Sequence, residues 1–377
     1  MKKISDLIQI VIFSAMIVGF MIVMFVLPDK DFSEQENRVL SGAPEITFEG
    51  FKSAQLMKDI ESYMTDQFPL RDSWISMKSY SEKIIGKTEN NGAFFCKEDT
   101  LISKFNAPDK ELLDTNINAI NSFVKSTDVP VYFSLIPGAV SVWEEKLPKN
   151  AQNYNQKALI EELYSKVECD TVDNYEVLDA HDDEYIYYRT DHHWTTLGAY
   201  YGYTAVADAL GFEPVDIKEY KKTTVSDEFY GTIYSSSGVR WVEPDEIDMY
   251  IPAENKKAEK IVGENSIERE FYNYAMLEEK DKYTFFLSEK GGITPLLKLT
   301  SDCDNGKKLL IIRDSYSDCQ VPFLTEHYSE IYLMDLRLYK LGVNNFIENN
   351  DIDAVLINYS VANFSEDENI KVWLGNN

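Results

Sequence analysis

The segment Leu7–Leu27 is an uncharged run rich in Ile, Val, Phe and Met, and it constrains the chain more than any other feature. A helix needs about twenty apolar residues to cross the hydrocarbon core of a bilayer, so this run predicts one transmembrane helix. Lys2 and Lys3 precede the run, and the positive-inside rule therefore predicts that residues 1–6 lie in the cytoplasm. Everything that follows Pro28 is then expected outside the cytoplasm.

A cleaved signal peptide is the alternative interpretation of this run. The run is longer than the roughly 7–15 residues of a usual signal-peptide core, and no small-x-small cleavage site follows it. These two features favour an uncleaved signal anchor at residues 7–27. Residues 28–50 are then interpreted as a polar stalk and residues 51–377 as the extracytoplasmic domain, which begins with helical segments up to about residue 85.

The charge of the chain limits the partners that it can bind. Its 377 residues include 64 acidic and 37 basic side chains, a formal net charge of −27. Such a chain has no basic stripe with which to neutralise phosphates, which argues against nucleic-acid binding. Hydrophobic residues make up 44% of the sequence, and a chain of this length can bury one large core, or a core plus a smaller appendage. A folded domain with an acidic, well-solvated surface is therefore expected beyond the anchor.

Beyond the stalk, near-continuous apolar runs alternate with segments of helical periodicity. Such runs are typical of strands covered on both faces, and their alternation with helices predicts an α/β fold with a largely parallel sheet. The predicted strands are Val129–Ile136, Lys308–Ile312, Glu330–Leu336 and Asp353–Tyr359. The predicted helices are Lys110–Ser126, Asn153–Val167, Thr195–Leu210 and Leu338–Asn349. Residues from about 215 to 290 are charged and tyrosine-rich, and they indicate an insertion with hairpin character.

Two polar clusters stand where α/β proteins carry their functional sites. Ser315 follows the predicted strand Lys308–Ile312, and open α/β sheets place their sites at the carboxyl ends of strands. Asp191, His192 and His193 precede a predicted helix. A serine nucleophile needs an imidazole that removes its proton and a carboxylate that orients the imidazole. Asp191, His193 and Ser315 supply these three groups.

A metal site is the alternative interpretation of the histidine cluster, because Asp191, His192 and His193 all carry ligand atoms and His181 is a further candidate ligand. Neighbouring residues of an extended segment point to opposite faces, however, and the chain shows no regular spacing of zinc ligands. The residues therefore favour the serine triad. No metal and no other cofactor is expected.

Six motifs occur in order along the chain: SEQENRVLSGAP, DQFPLRD, TDHHWTTLGAYYGY, EFYGTIYS, RDSYSDCQVPFL and MDLRLY. Together they resemble the DHHW protein family of bacteria over most of the region beyond the anchor. That family is similar to the SGNH-like acetyltransferase domains of the alginate O-acetylation proteins. The resemblance implies an SGNH-hydrolase-like, flavodoxin-like three-layer sandwich with a mostly parallel sheet. It also implies Ser315 as nucleophile, His193 as general base and Asp191 as the carboxylate that orients the base.

The sequence departs from the SGNH pattern at two places. Arg313 stands where SGNH proteins carry a glycine before the Asp-Ser pair, and their oxyanion-hole asparagine has no clear counterpart. Backbone N–H groups must then stabilise the oxyanion, and those of Ser315 and of Gly291 or Gly292 are the candidates.

Three further side chains are candidate accessories of the site. His192 is the less favoured base, because the resemblance makes its position the variable one of Asp-x-His-Trp. Trp194 either packs the loop in place or stacks on a sugar ring, and packing is the more common role. Arg337 either orients an anionic group or forms an ion pair at the end of its strand.

The resemblance implies an O-acyltransferase that moves an acetyl group onto a cell-surface polysaccharide through an acyl-Ser315 intermediate. Acetyl-coenzyme A is cytoplasmic, so a multi-pass membrane-bound O-acyltransferase is the expected donor partner. The protein is then expected to be a single-pass protein of the bacterial cell membrane, with its C-terminal domain outside the cytoplasm. A carbohydrate esterase with the same triad and a non-catalytic glycan-binding surface protein are the alternatives.

Overall fold

The computed structural model of the chain describes residues 2–33, 35–251, 257–262, 265–288 and 294–374. Contacts between residues group the chain into two compact units. The first unit comprises residues 1–91 and 235–240, and the second comprises residues 92–234 and 241–377. All three residues of the predicted triad belong to the second unit.

In the part of the first unit that the structure describes, the regular secondary structure is helical apart from three very short strands. It begins with a long helix, within which residues Ile4–Val26 are apolar and long enough to cross a membrane. By length and composition this helix fits the predicted anchor, and a signal sequence would share both properties. The elements of this unit are α1 (Lys2–Val26), β1 (Phe32–Ser33), β2 (Arg38–Val39), α2 (Phe48–Lys52), α3 (Gln55–Asp66), α4 (Arg71–Ile84) and β3 (Glu89–Asn90).

The second unit alternates strands and helices, as the apolar runs predict. Its elements up to the middle of the chain are β4 (Ala93–Phe95), β5 (Leu101–Ser103), α5 (Lys110–Ser126), β6 (Val131–Ile136), α6 (Ala139–Val142), α7 (Gln156–Tyr164), β7 (Asp170–Val172), α8 (Asn174–Asp179), α9 (Thr196–Leu210) and β8 (Lys221–Phe229). The short helix α10 (Thr232–Ser237) begins in the second unit and ends in the first.

The remaining elements of the second unit are β9 (Asp245–Ile251), β10 (Lys257–Val262), β11 (Asn265–Arg269), β12 (Leu296–Thr300), β13 (Lys308–Arg313), α11 (Ser317–Leu324), β14 (Glu330–Met334), α12 (Val343–Asn350), β15 (Ala354–Ser360), α13 (Val361–Glu366) and α14 (Asn369–Trp373). Single 3₁₀ turns lie at Glu144–Lys146, Ile217–Glu219, Tyr274–Glu278 and Lys282–Phe285.

One large sheet organises this unit, with strand order β11-β10-β12-β14-β13-β15-β6-β7. The five strands from β14 to β7 run parallel, whereas β12, β10 and β11 continue the sheet in antiparallel fashion. Strand β13 lies between two parallel neighbours, with Leu310 opposite Tyr332 of β14 and Val355 of β15. The carboxyl end of β13 is therefore the kind of position at which α/β sheets carry functional residues.

The sheet is covered on both faces, because successive residues of a strand point to opposite sides. Leu309 and Ile311 of β13 belong to a buried cluster that contains residues of α9 and α11. Leu310 and Ile312 belong to the other cluster, which contains residues of α5, α12 and α13. Helices on both sides thus bury the near-continuous apolar runs from which the sheet was predicted.

The prediction of an α/β fold with a large, mostly parallel sheet is confirmed. Helix α5 has the predicted bounds, and the four predicted strands correspond to β6, β13, β14 and β15 within two residues at each end. The antiparallel edge was not predicted, because β10 and β11 lie in the segment interpreted as an insertion. The sequence-based division at residues 28, 51 and 215–290 stays a prediction.

Candidate active site

Ser315 lies in the turn that connects β13 to α11, and side-chain hydrogen bonds hold this turn. Asp314 Oδ1 accepts a hydrogen bond from the backbone N–H of Tyr316 at 3.0 Å. Asp314 Oδ2 accepts from the backbone N–H of Ser360 at 2.8 Å and from the side-chain amide of Asn363 at 2.7 Å. These bonds tie the turn to the end of the neighbouring strand β15. Ser315 itself is partly exposed, so its hydroxyl is within reach of a substrate.

The loop that precedes α9 carries Asp191 and His193. The Thr195 hydroxyl accepts a hydrogen bond from the backbone N–H of Gly198 at 3.2 Å and caps the helix, as expected for a threonine at this position. The cap fixes the start of α9, and the loop leaves the helix towards the carboxyl end of β13.

The structure brings Ser315, His193 and Asp191 together in one line of hydrogen bonds. His193 Nε2 lies 2.8 Å from Ser315 Oγ, and His193 Nδ1 lies 2.6 Å from Asp191 Oδ1. His193 and Asp191 are both buried. A carboxylate that accepts the Nδ1 proton leaves a lone pair on Nε2, which can then accept the serine proton. The arrangement has the order of groups that nucleophilic acyl transfer requires.

The carboxylate of Asp191 is held by residues that follow β8. Asp191 Oδ2 accepts hydrogen bonds from the backbone N–H of Thr232 at 2.7 Å and from its hydroxyl at 2.9 Å. A Cβ added at Gly231 would lie 2.3 Å from the same oxygen, so only glycine leaves room for the carboxylate. Burial alone would raise the pKa of Asp191, but His192, His193 and the hydrogen bonds outweigh it and hold the pKa well below its usual range. Asp191 is therefore ionised at any ordinary pH.

The ring of His192 lies against that of His193, with centroids 3.9 Å apart and ring planes inclined by 36°. Its Nδ1 lies 2.6 Å from the Thr232 hydroxyl. Burial and the neighbouring imidazole lower the pKa of His192 to about 4, against the opposing effect of Asp191. The structure thus places His193 and not His192 against Ser315.

The cluster of Asp191, His192 and His193 also meets a simple distance condition for a metal site, since one ligand atom of each lies within 4.8 Å of the others. The 2.6 Å between His193 Nδ1 and Asp191 Oδ1 is a hydrogen-bond distance. Two ligand atoms on a tetrahedral zinc ion lie about 3 Å or more apart, because each is about 2 Å from the metal. These two atoms are therefore spaced to share a proton.

Tyr283 contacts one face of the His193 imidazole. Its ring stacks face to face on that of His193, with centroids 3.8 Å apart and an interplanar angle of 8°. Its hydroxyl donates to the backbone carbonyl of Ser315 at 3.0 Å and contacts Cys319 Sγ at 3.2 Å. One buried side chain thus contacts both the imidazole and the backbone of the serine.

The sequence profile of the DHHW protein family matches residues 105–334, which is more than half of the chain. The chain belongs to the DHHW protein family. The crystal structure of a DHHW family protein from Eubacterium siraeum is similar to this one, with 26% identity, 75% of this chain and 96% of that chain covered, and a TM-score of 0.67. No curated protein sequence matches the chain.

Two further solved structures are more distantly similar to the chain. PatB1 of Bacillus cereus, solved with a sulfonyl adduct, is 21% identical and covers 74% of this chain and 96% of its own, with a TM-score of 0.61. The O-acetyltransferase domain of Pseudomonas putida AlgJ is 13% identical and covers 76% of this chain and 99% of its own, with a TM-score of 0.46.

The structure also distinguishes the roles considered for Trp194 and Arg337 of this DHHW protein. Trp194 is fully buried, and its indole N–H donates to the carbonyl of Tyr316 at 2.9 Å. It therefore joins the histidine loop to the nucleophile turn and offers no face to a sugar. Arg337 forms a two-pronged ion pair with Asp335, with nitrogen–oxygen distances of 3.0 and 2.7 Å.

The described residues contain one candidate donor for an oxyanion. The backbone N–H of Ser315 has no hydrogen-bond partner among them, which fits one donor of an oxyanion hole. Gly291 and Gly292, the other predicted donors, lie outside the described residues. Arg313, which replaces the glycine of the SGNH pattern, is buried and forms an ion pair with Asp318 at 2.9 Å.

Sequence reasoning did not single out Gly231, Thr232 or Tyr283 as parts of this site. Gly231 and Thr232 lie in the EFYGTIYS motif, which was used only for the family resemblance. A glycine inside a conspicuous motif could have indicated close approach of another group. Tyr283 lies in the segment interpreted as an insertion, where no local pattern indicates that it contacts His193.

Proposed function

We propose that this DHHW protein is an SGNH-like O-acyltransferase of the cell envelope that transfers an acetyl group to a hydroxyl of a cell-surface polysaccharide. The proposal is based chiefly on the hydrogen-bond contacts that join Ser315 to His193 and His193 to Asp191. The fold shared with PatB1 supports it, because the sulfonyl adduct of that protein is the product expected when an activated nucleophile meets a sulfonyl reagent.

In the first half-reaction, Ser315 Oγ attacks the carbonyl carbon of the donor acyl group while its proton passes to His193 Nε2. The ionised Asp191 stabilises the imidazolium that forms. The backbone N–H of Ser315 donates to the developing oxyanion. The bond to the leaving group then breaks, His193 returns the proton to that group, and Ser315 carries the acyl ester.

In the second half-reaction, a polysaccharide hydroxyl enters the place that the leaving group has vacated. His193 Nε2 accepts the proton of this hydroxyl as its oxygen attacks the acyl-Ser315 carbonyl. The bond from the acyl carbon to Ser315 Oγ breaks, and the proton moves from His193 to the serine. The products are an acetylated polysaccharide and the free enzyme. Attack by water instead would make the protein an esterase.

The location of the donor follows from the proposed topology. We infer that α1 spans the membrane once and that the second unit lies outside the cytoplasm, in agreement with the composition of Ile4–Val26. An acetyl group made available in the cytoplasm then needs a carrier across the bilayer. A multi-pass membrane-bound O-acyltransferase is the partner that would carry the acetyl group across the bilayer to Ser315.

The test uses the full chain in lipid nanodiscs, a fluorescent sulfonyl fluoride, a chromogenic acetyl ester, and an acetyl-accepting oligosaccharide. We expect covalent labelling, ester cleavage, and acetylated oligosaccharide in the mass spectrum. Ser315→Ala should lose labelling and lower the rate by several orders of magnitude. Ser317→Ala is the matched control, because it removes a serine hydroxyl two residues away, which is buried and accepts a hydrogen bond from the Asn358 amide. It should still be labelled.

Each other outcome selects an alternative. Labelling and ester cleavage without acetylated oligosaccharide would indicate an esterase. A wild-type protein that neither reacts with the probe nor cleaves the ester would indicate a glycan-binding protein. Activity retained in Ser315→Ala would rule out the acyl-serine mechanism.

A further inference from the structure

The first unit exposes apolar side chains that a protein surrounded by water would bury. Phe48 is 82% exposed and Ile84 is 83% exposed. Further exposed apolar residues of α2, α3 and α4 and their ends are Phe51, Met57, Met64, Met77 and Ile85. Exposed apolar surface of this extent marks contact with another molecule or with a membrane.

The hairpin formed by α3 and α4 contains an apolar groove with a volume of about 990 Å³. Charged side chains of Lys58, Glu61, Arg71 and Lys78 also line it, which makes the groove amphipathic. Its apolar lining is formed by Met57, Ile60, Met64, Phe68, Trp74 and Ile75.

This groove continues onto α1. The Phe20 ring stacks on that of Phe68 at a centroid distance of 5.3 Å and meets Trp74 edge-on at 5.9 Å. A second groove, of about 380 Å³, lies between α1 and the hairpin and shares Met64, Phe68 and Trp74 with the first. The apolar groove therefore opens beside the helix that is proposed to cross the membrane.

The depth of this contact follows from helix geometry. Phe20 lies six residues before the end of α1 at Val26, which is about 9 Å along the axis at a rise of about 1.5 Å per residue. The hydrocarbon core that α1 would cross is about 30 Å thick. A ring in contact with Phe20 is therefore level with lipid acyl chains.

Polar residues lie where headgroups would be. A groove of about 550 Å³ at Leu27 and Pro28, just beyond the end of α1, is also lined by Asp66 and Arg71 of the hairpin. Asp66 forms an ion pair with Arg38 of β2. The hairpin is thus charged at the level of Leu27 and apolar at the level of Phe20, as an element seated in one leaflet would be.

We propose that the α3–α4 hairpin is seated in the membrane leaflet that surrounds the end of α1, with lipid acyl chains filling its apolar groove. The proposal rests on α1 crossing the membrane and is independent of acyl transfer. The lipid is favoured over a protein partner because the groove opens directly beside α1, which lipid tails surround. The chain is then attached to the bilayer by two elements.

Trp74 is a native fluorescent probe of the contact between the hairpin and lipid. The other four tryptophans, at positions 143, 194, 241 and 373, belong to the second unit. The full chain would be placed in nanodiscs that hold one copy each, with and without bromine atoms on the lipid acyl chains. Bromine quenches tryptophan on contact. We expect lower emission in the brominated discs, a loss of most of this difference in Trp74→Phe, and its retention in Trp373→Phe.

Discs with one copy and lipid only contain neither a second chain nor a partner protein. Equal emission in both kinds of disc, or a difference that survives in Trp74→Phe, would overturn the proposal and leave a protein as the occupant of the groove. If the chain does not elute with the discs, α1 does not anchor it in the membrane, and the proposal, which rests on that anchor, is also overturned. Neither result depends on whether Ser315 transfers an acyl group.

Discussion

The two loops that meet at the candidate site are held in different ways. The nucleophile turn around Ser315 follows the central strand β13 and is tied by Asp314 to the end of β15, its neighbour in the sheet. The histidine loop lies outside the sheet. Its Thr190 is fixed by the buried carboxylate of Asp245, whose Oδ2 accepts from the Thr190 backbone N–H at 2.8 Å.

The difference shows that one half of the site depends on the sheet and the other on distant side chains. The serine would stay in place as long as β13 and β15 pair. The imidazole is placed by Gly231, Thr232, Asp245 and Tyr283, all of which come later in the chain than His193. Substitutions at Gly231, Thr232 and Asp245 should therefore disturb the base and leave the nucleophile turn intact, whereas Tyr283 also contacts that turn through the Ser315 carbonyl.

The largest effect should separate the two adjacent histidines. We expect His193→Ala to lower kcat for the acetyl ester by about three to six orders of magnitude, because it removes the base that contacts Ser315. His192→Ala should lower kcat by less than about tenfold, because its ring faces Thr232. Steady-state rates and sulfonyl fluoride labelling of both variants measure this. Equal losses would show that the two rings act as one unit.

Gly231→Ala tests whether the histidine loop depends on the segment after β8. The new Cβ would lie 2.3 Å from Asp191 Oδ2, so the carboxylate must move. A displacement of about 1 Å should cost about 10²-fold in kcat, with little change in KM.

Gly138→Ala is the control for that variant. The nearest atom to its added Cβ lies 3.6 Å away, an ordinary contact, and its φ of −86° suits alanine. It should keep the wild-type rate. A fully active Gly231→Ala enzyme would mean that the carboxylate is not held where its function requires it.

Tyr283→Phe should have a smaller effect, because the ring that stacks on His193 is kept. Only the hydroxyl that donates to the Ser315 carbonyl is lost. One hydrogen bond of about 1 kcal/mol corresponds to roughly a fivefold fall in kcat if it is used fully in the transition state.

Tyr188→Phe is the matched control, because Tyr188 is also buried and its hydroxyl has no hydrogen-bond partner among the described residues. Its kcat should equal that of the wild type. If both variants lose the same activity, the Tyr283 hydroxyl contributes only to packing.

The contrast between the nucleophile turn and the histidine loop also explains which parts of the site the sequence could predict. Local patterns sufficed for β13, β15 and the position of Ser315, because an apolar run followed by a polar turn is a strand and its end. Asp191 and His193 were found as a short motif. Their supports were not, because Gly231 and Tyr283 act through contacts between residues far apart in the chain, which periodicity does not encode. Hairpin character was predicted for residues 215–290, but the bounds of β10 and β11 and their pairing with the sheet were not, since their charged residues obscure the alternation of apolar and polar side chains.

The last prediction concerns the stability of the histidine loop at acid pH. The pKa of His192 is lowered to about 4 in the folded chain by burial and by His193, whereas that of an unfolded histidine is about 6.5. Between these values the unfolded chain binds a proton that the folded chain does not. The free energy of unfolding should therefore fall as the pH decreases from about 6.5 to about 4.

The size of this loss should be about 1 kcal/mol, because the His192 side chain is 36% exposed and solvent screens its interactions. His192→Gln should remove this part of the pH dependence, and urea unfolding in detergent at pH 7.5 and 4.5 would measure it. Asp191 acts in a separate window: its pKa is depressed, so its contribution is present above about 4 and is lost only at lower pH. The same slope in the variant and the wild type would show that another group titrates in this pH range.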